Sequence, residues 1–251
     1  MRLLIFDVKG EFGHFKKFNS TSSPMTYVIP TPTALRGMLG ALIGLGREQC
    51  ISEITKENST FAIQVVGKIK KQGYSTNLIN TKEHFYRIKT RTQVRYELLV
   101  NPHYRIYAKL NSGLFELVKD VLEKEKFKFF PYLGLANMTA KIDRVEEGVL
   151  INKKSNGQYV EVHTAINLNN YGNISFEQVE NQRLSTAILP LSIELDNSDK
   201  LTGGSKAEND LPKNRITKEY GEILVETNGN PIKVLIEEYY EVPGFGNIVF
   251  I

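Results

Sequence analysis

Between Tyr86 and Glu97 the chain reads YRIKTRTQVRYE, and its cations fall on alternate residues. Arg87, Lys89, Arg91 and Arg95, with Gln93, share one parity, while Ile88, Thr90, Thr92, Val94 and Tyr96 take the other. A helix turns about 100° per residue and would scatter these cations around its axis. A strand sends successive side chains to opposite faces and sets them in one row. The segment is therefore read as a strand with one cationic face. It runs through LLV to Asn101-Pro102-His103, a turn signal, and then to YRIYA, an apolar returning strand. Together these predict a long basic hairpin near 86–109.

The composition around that hairpin points to a polyanion. Residues 61–109 carry Lys68, Lys70, Lys71, Lys82, Arg87, Lys89, Arg91, Arg95, Arg105 and Lys109 against Glu83 and Glu97. Phe61, Tyr74, Phe85, Tyr86, Tyr96, Tyr104 and Tyr107 lie among them. Cations neutralise phosphates and aromatic faces stack unpaired bases, so the mixture fits single-stranded RNA. The alternative is a solvated strand face with its tyrosines packed in a core. Residues 1–109 hold 17 Lys/Arg against 7 Asp/Glu, and the remaining 142 residues hold 15 against 21. A basic half followed by an acidic one suggests a polyanion partner for the first and a protein partner for the second, the alternative being a random scatter of surface charge.

The other segments read as a mixed fold. RLLIFDVK is a first strand, and NSTSSP after it is a loop. From Thr31 onward, a capping threonine and Pro32 open a helix whose Leu35, Met38, Leu39, Leu42 and Ile43 recur at helical spacing. Its glycines Gly37, Gly40 and Gly44 disfavour a helix by about 1 kcal/mol each, so close approach to a sheet or another backbone is expected to offset them. The apolar run Ala34–Gly46 is too short to cross a bilayer, which takes about 20 residues. It also lacks the Gly-Lys-Ser/Thr and G-x-G-x-x-G patterns of phosphate-binding loops. GLFELVKDVLEKEKF is a second helix, with Leu114, Leu117, Val118, Val121 and Leu122 on its apolar face. Strand-like runs follow to the C-terminus, interrupted by a long polar loop over Asp196–Gly221. The order predicts an α+β sheet domain over 1–145 and a smaller β-rich part over 146–251.

Residue types that would carry chemistry are sparse. One cysteine, Cys50, excludes an intramolecular disulfide and a C-x-x-C metal site. MRLLIFDVKG lacks an apolar h-region, and with the cysteine usage this leads us to expect a cytoplasmic chain with no membrane partner. No motif implies a metal or other cofactor. Metal-independent RNA cleavage requires a base for the 2′-hydroxyl and a cation for the phosphorane. His14 beside Lys16 and Lys17, and His84 beside Lys82 and Arg87, are candidates, although a histidine in a basic loop is more often a binding or surface residue.

Three stretches together resemble a known family. FDVKGEFGHFKKFNSTSSPMTYVIPTPTALRGMLGALIGL resembles the opening of the Cas-five family of CRISPR-associated proteins, TRTQVRYELLVNPHYRIYA is similar to its arm, and FFPYLGLANMTAKI to its glycine loop. The resemblance covers roughly residues 3–145. It implies a ferredoxin-like, RNA-recognition-like domain of the RAMP superfamily, with a protruding β-hairpin arm. It also implies a non-catalytic subunit of a type I surveillance complex (Cascade), most like its I-B branch, acting in antiviral defence. That subunit would hold the 5′ handle of the CRISPR RNA, contact the backbone, large and processing subunits, and meet target DNA through the complex. Carried over by position, His14, Lys16, Lys17, Ser20, Ser22 and Arg36 would face the handle. Arg87, Lys89, Arg91, Arg95, Tyr96, Arg105 and Tyr107 would line the RNA, and Gly134 would admit its backbone. The I-C branch instead cuts repeat RNA with a set that includes adjacent lysine and histidine. This chain has no Lys-His dipeptide, and Glu83 precedes His84. A repeat endoribonuclease is therefore the alternative reading, and a general single-strand-binding module a third.

Overall fold

The computed structural model describes residues 1–20, 23–79, 90–171, 174–177, 180–196 and 214–251. In chain order the first elements are β1 (Arg2–Lys9), β2 (Phe12–Gly13), α1 (Pro32–Ile43), α2 (Arg47–Glu53), β3 (Ser59–Val65), β4 (Lys70–Ile79), β5 (Arg91–Val100), β6 (His103–Leu110), α3 (Ser112–Glu123) and β7 (Lys141–Val149). After them come β8 (Ile151–Lys154), β9 (Val160–Val162), β10 (Ile166–Asn167), β11 (Ser175–Phe176), β12 (Leu184–Leu195), β13 (Arg215–Glu226), β14 (Ile232–Leu235), β15 (Glu238–Val242) and β16 (Gly246–Ile248). The class is α+β with antiparallel pairing throughout these strands.

The central sheet has the order β3-β6-β1-β7. β1 is a nearly continuous apolar run because both of its faces are covered. Leu4, Phe6 and Val8 pack with Leu35, Leu39 and Leu42 of α1 and with Phe115, Val118 and Leu122 of α3. Leu3 and Ile5 point the other way and pack with Tyr107, Leu150, Val242 and Ile248. The C-terminal strands thus close the sheet face opposite the helices. β12 and β13 form a long antiparallel pair whose Leu189, Leu191, Ile223 and Val225 join the same core as α1. The division expected at residue 145 falls inside β7, and the largest apolar cluster runs across it.

Local signals explain both long helices. Thr31 caps α1 by accepting from the Ala34 N–H at 3.1 Å, Pro32 follows at the first position, and Gly44 ends the helix at φ 90°. The close approach expected at its glycines occurs at Gly40, where a Cβ would collide with Cys50 Sγ of α2 rather than with a sheet. Asn111 caps α3 by accepting from the Leu114 N–H at 2.9 Å. The buried stripe of α3 is Phe115, Val118 and Leu122, so Leu117, expected on the apolar face, is exposed.

Two expectations are corrected. β5 does not pair with β6 about the Asn101-Pro102 turn; its partners are β4 along its whole length and β2 at its end. Asn101, at φ 48°, redirects the chain, and β6 enters the central sheet between β3 and β1. The physical reason is burial. Tyr104, Ile106 and Ala108 of β6 face the helices and Tyr107 faces the opposite layer, so β6 must be internal, while the cationic β5 cannot be. The second correction is at Asp196–Gly221, where Arg215–Gly221 belong to β13 and pair with β12.

Candidate nucleic-acid interface

β4 and β5 form a two-stranded ribbon in register from Lys70↔Val100 to Ile79↔Arg91. Residues across an antiparallel pair share a face. Arg91 and Arg95 therefore lie on one face with Ile79, Asn77 and Ser75, and Tyr74 lies opposite Tyr96 on the other. Arg91 and Arg95 are exposed, and Tyr74 is 56 % exposed. Arg87, Lys89, His84 and Ser22 lie outside the described residues.

The foot of the ribbon is tied to the loop after β2. The Nδ1–H of His14 donates to the Glu97 carbonyl oxygen at 2.8 Å, and the His14 and Tyr96 rings meet edge-on at 5.5 Å. The Glu97 carboxylate accepts from the Thr26 N–H at 3.0 Å and from Lys71 Nζ at 3.1 Å. Ser20 accepts from the Met25 N–H and donates to the Lys17 carbonyl, fixing the turn that carries Lys16 and Lys17. Lys16 is exposed and Lys17 half-buried, with Lys17 Nζ 6.0 Å from the Tyr27 ring.

Several sequence-selected residues are internal. His14 is 2 % exposed. Arg36 is 6 % exposed; it donates from Nε and Nη2 to Ser59 Oγ and O at 3.0 Å, and from Nη1 to the Leu191 carbonyl at 2.5 Å. Burial lowers the Arg36 guanidinium to about 10. Arg105 grips Asp7 with Nε and Nη2 at 2.7 and 3.0 Å, and His103 Nε2 lies 3.0 Å from the same carboxylate. Tyr107 is fully buried and donates to Gln64 Oε1 at 2.8 Å; burial pushes its phenol up to about 12. Gly134, at φ 90°, admits the chain's own backbone, since a Cβ there would overlap the His14 carbonyl oxygen.

At one end of the central sheet Lys9 and Lys141 stand on neighbouring strands, and both form ion pairs with Asp143. Lys9 of β1 pairs with His103 of β6 and with Lys141 of β7, and Val65 of β3 pairs with Tyr104. The loop after β1, the ribbon and the α3–β7 connection all leave from that end. A cleft of about 590 Å³ opens there, lined by Lys9, Glu11, Phe12, His103, Asn137 and Lys141 among others. A larger cleft of about 830 Å³ between α1–α2 and β12–β13 is lined by Arg36, Arg47, Lys56, Arg215 and Lys218 against Glu57, Glu194 and Asp196; Arg36 is turned to Ser59 and Leu191, and Lys56 and Lys218 pair with Glu219 and Glu194. Among the described residues no three His, Cys, Asp or Glu side chains are gathered to hold a metal, and no helix is long and apolar enough to cross a membrane.

Comparison with known proteins identifies a family. A family model described as CRISPR-associated protein (Cas_Cas5) matches residues 3–226. No curated protein matches the chain. A CRISPR protein from Archaeoglobus fulgidus has a similar solved fold, with 12 % identity over 99 % of this chain and 98 % of its own and a TM-score of 0.55. A chain of a CRISPR RNA-guided surveillance complex aligns at 12 % identity over 91 % of both chains, with a TM-score of 0.46. A chain of a type III-B Cmr-beta complex bound to cognate target RNA and AMPPnP aligns at 14 % identity over 93 % and 86 %, with a TM-score of 0.49.

Proposed function

The chain belongs to the Cas-five family of CRISPR-associated proteins, and from that premise we propose that it is an RNA-binding subunit that holds the 5′ handle of a CRISPR RNA within a type I surveillance complex, without cutting it. The observation that carries this reading is the ribbon, where Arg91 and Arg95 stand exposed on one face. A two-stranded element wetted on both faces buries too little apolar surface to be there for stability. Its cations gain most by neutralising phosphates. The order β3-β6-β1-β7, with α1 and α3 on one face, supports a ferredoxin-like core, and the ribbon leaving its end supports an arm. In such a core the sheet face opposite the helices is the usual platform for RNA. Here Val242 and Ile248 cover it and Tyr107 is sealed inside, which favours the ribbon end over the sheet face.

In this role the ribbon and its foot take the handle, and the acidic C-terminal half is a surface for neighbouring subunits. The subunit resembles the I-B branch most closely in its sequence motifs. Incubation of the purified protein with repeat RNA in EDTA tests the proposal. Intact, retained RNA is the expected result. Cleavage at a defined position would replace it with the repeat-endoribonuclease reading, and equal affinity for handle and scrambled RNA with that of a general single-strand binder.

A further inference from the structure

The α3–β7 connection carries the most exposed aromatic side chain of the described residues. Phe130 is 82 % exposed, Phe129 57 % and Tyr132 40 %. They follow two lysines in the run Lys126-Phe127-Lys128-Phe129-Phe130. Lys124 is paired with Asp120, whereas Lys126 and Lys128 enter no ion pair among the described residues.

The segment is anchored on both sides of the two rings. The Lys128 N–H donates to the Leu42 carbonyl at 2.9 Å, and the Ala140 N–H donates to the Pro131 carbonyl at 2.9 Å. Pro131 itself is buried. Phe129 and Phe130 are therefore held in water by a fixed backbone, with little conformational freedom left to lose when a ligand arrives. They also lie near the ribbon. Four residues of chain, at most about 14 Å, separate Phe130 from Gly134, and Gly134 abuts His14 at the ribbon foot.

We propose that Lys126, Lys128, Phe129 and Phe130 form a second contact for the single-stranded RNA held by the ribbon, the rings stacking on bases and the lysines pairing with phosphates. This rests on the RNA-binding function proposed above. Rings interleaved with unpaired cations match the alternation of base and phosphate along one strand. An apolar pocket on a protein partner would engage the rings but has no use for the lysines.

The test compares a 12-nucleotide oligoadenylate with an abasic ribose-phosphate strand of the same length, each titrated against the full chain. Phe129→Ala/Phe130→Ala is expected to weaken the oligoadenylate about tenfold or more and to leave the abasic strand unchanged. Phe129→Trp/Phe130→Trp should keep the wild-type affinity. Arg91→Ala/Arg95→Ala should weaken both strands, because it removes phosphate contacts. An unchanged oligoadenylate affinity in the double-alanine variant overturns the stacking contact and assigns the rings to a protein partner, while the arginine variants still report on the ribbon. If the wild type binds neither strand, the RNA-binding function falls and this contact falls with it. Both rings are solvent-exposed, so an unchanged thermal midpoint is expected to accompany each substitution.

Discussion

His14 and Glu97, 83 residues apart, are joined by a 2.8 Å hydrogen bond from the imidazole Nδ1–H to the backbone carbonyl of the ribbon. Because a carbonyl only accepts, this bond places the proton of the neutral ring on Nδ1, and Nε2 is left buried with no partner among the described residues. A histidine followed closely by Lys16 and Lys17 reads in sequence as an accessible base. In the fold it is a strut between the loop after β2 and the foot of the ribbon, packed against the Tyr96 ring.

His14→Ala is accordingly expected to act on stability. It removes one hydrogen bond and one ring contact from a closed site, a loss of about 1–3 kcal/mol, or a fall of roughly 2–4 °C in the thermal midpoint per kcal/mol for a chain of this size. Handle RNA should remain uncut and bound, with affinity lowered only as far as the ribbon foot loosens. Loss of mature guide from a reconstituted complex carrying His14→Ala would instead give the histidine a chemical role.

Gly134→Ala tests the same junction from the other side. At φ 90° an alanine is strained, and its Cβ would overlap the His14 carbonyl oxygen, which belongs to the backbone and cannot rotate away. The expected loss exceeds that of His14→Ala, because the α3–β7 connection and the loop after β2 must separate. Proteolysis of the two loops should accelerate in parallel. A variant as stable as the wild type would show that the contact is slack.

The elements legible in the sequence are those with a local cause. Thr31 and Pro32 mark the start of α1, the apolar spacing marks α3, and the alternating cations mark β5 as a strand. The partner of β5 was not legible, because the choice between β4 and β6 depends on which strand is buried on both faces, a property of the assembled layers. Arg36 was misplaced for a related reason. Its acceptors, Ser59 and Leu191, stand 23 and 155 residues away, and within a basic half it reads as one more surface cation. Its position between Leu35 and Met38 was the one available signal. Phe129 and Phe130 read in sequence only as the start of a stretch similar to the family's glycine loop, and the fold shows both rings exposed.

Acid should expose the Asp7 site. Burial alone would raise the Asp7 carboxyl, but hydrogen bonds from Arg105 and His103 outweigh it and hold the group below its ordinary value. A carboxyl lowered by folding adds stability that is complete above its unfolded value of about 3.9 and is lost as pH falls through the folded value. Wild-type stability should therefore fall below about pH 4, and Asp7→Asn should flatten that limb. At neutral pH the same variant should cost about 3 kcal/mol, since Arg105 is left without its partner. Urea midpoints across the acid range check both parts, and an unaltered acid limb in Asp7→Asn would assign the sensitivity to other carboxylates.

The ribbon arginines give the most direct test of function. Each phosphate neutralised releases condensed counterions, so the slope of log affinity against log salt counts phosphate contacts at about 0.7 per contact on a single strand. Arg91 and Arg95 sit on one face and four residues apart, close enough for one strand of RNA to meet both. Arg91→Ala and Arg95→Ala should each shallow the slope by roughly that amount, and the double variant by twice as much. Binding should weaken about equally on handle and scrambled RNA, because phosphate contacts carry no base identity. Exposed arginines on a two-stranded ribbon contribute little to stability, so thermal midpoints should stay within about 1 °C of the wild type. Slopes that do not move would remove Arg91 and Arg95 from the interface and leave the lysines at the opposite end of the ribbon, Lys70 and Lys71, as the cations to examine next.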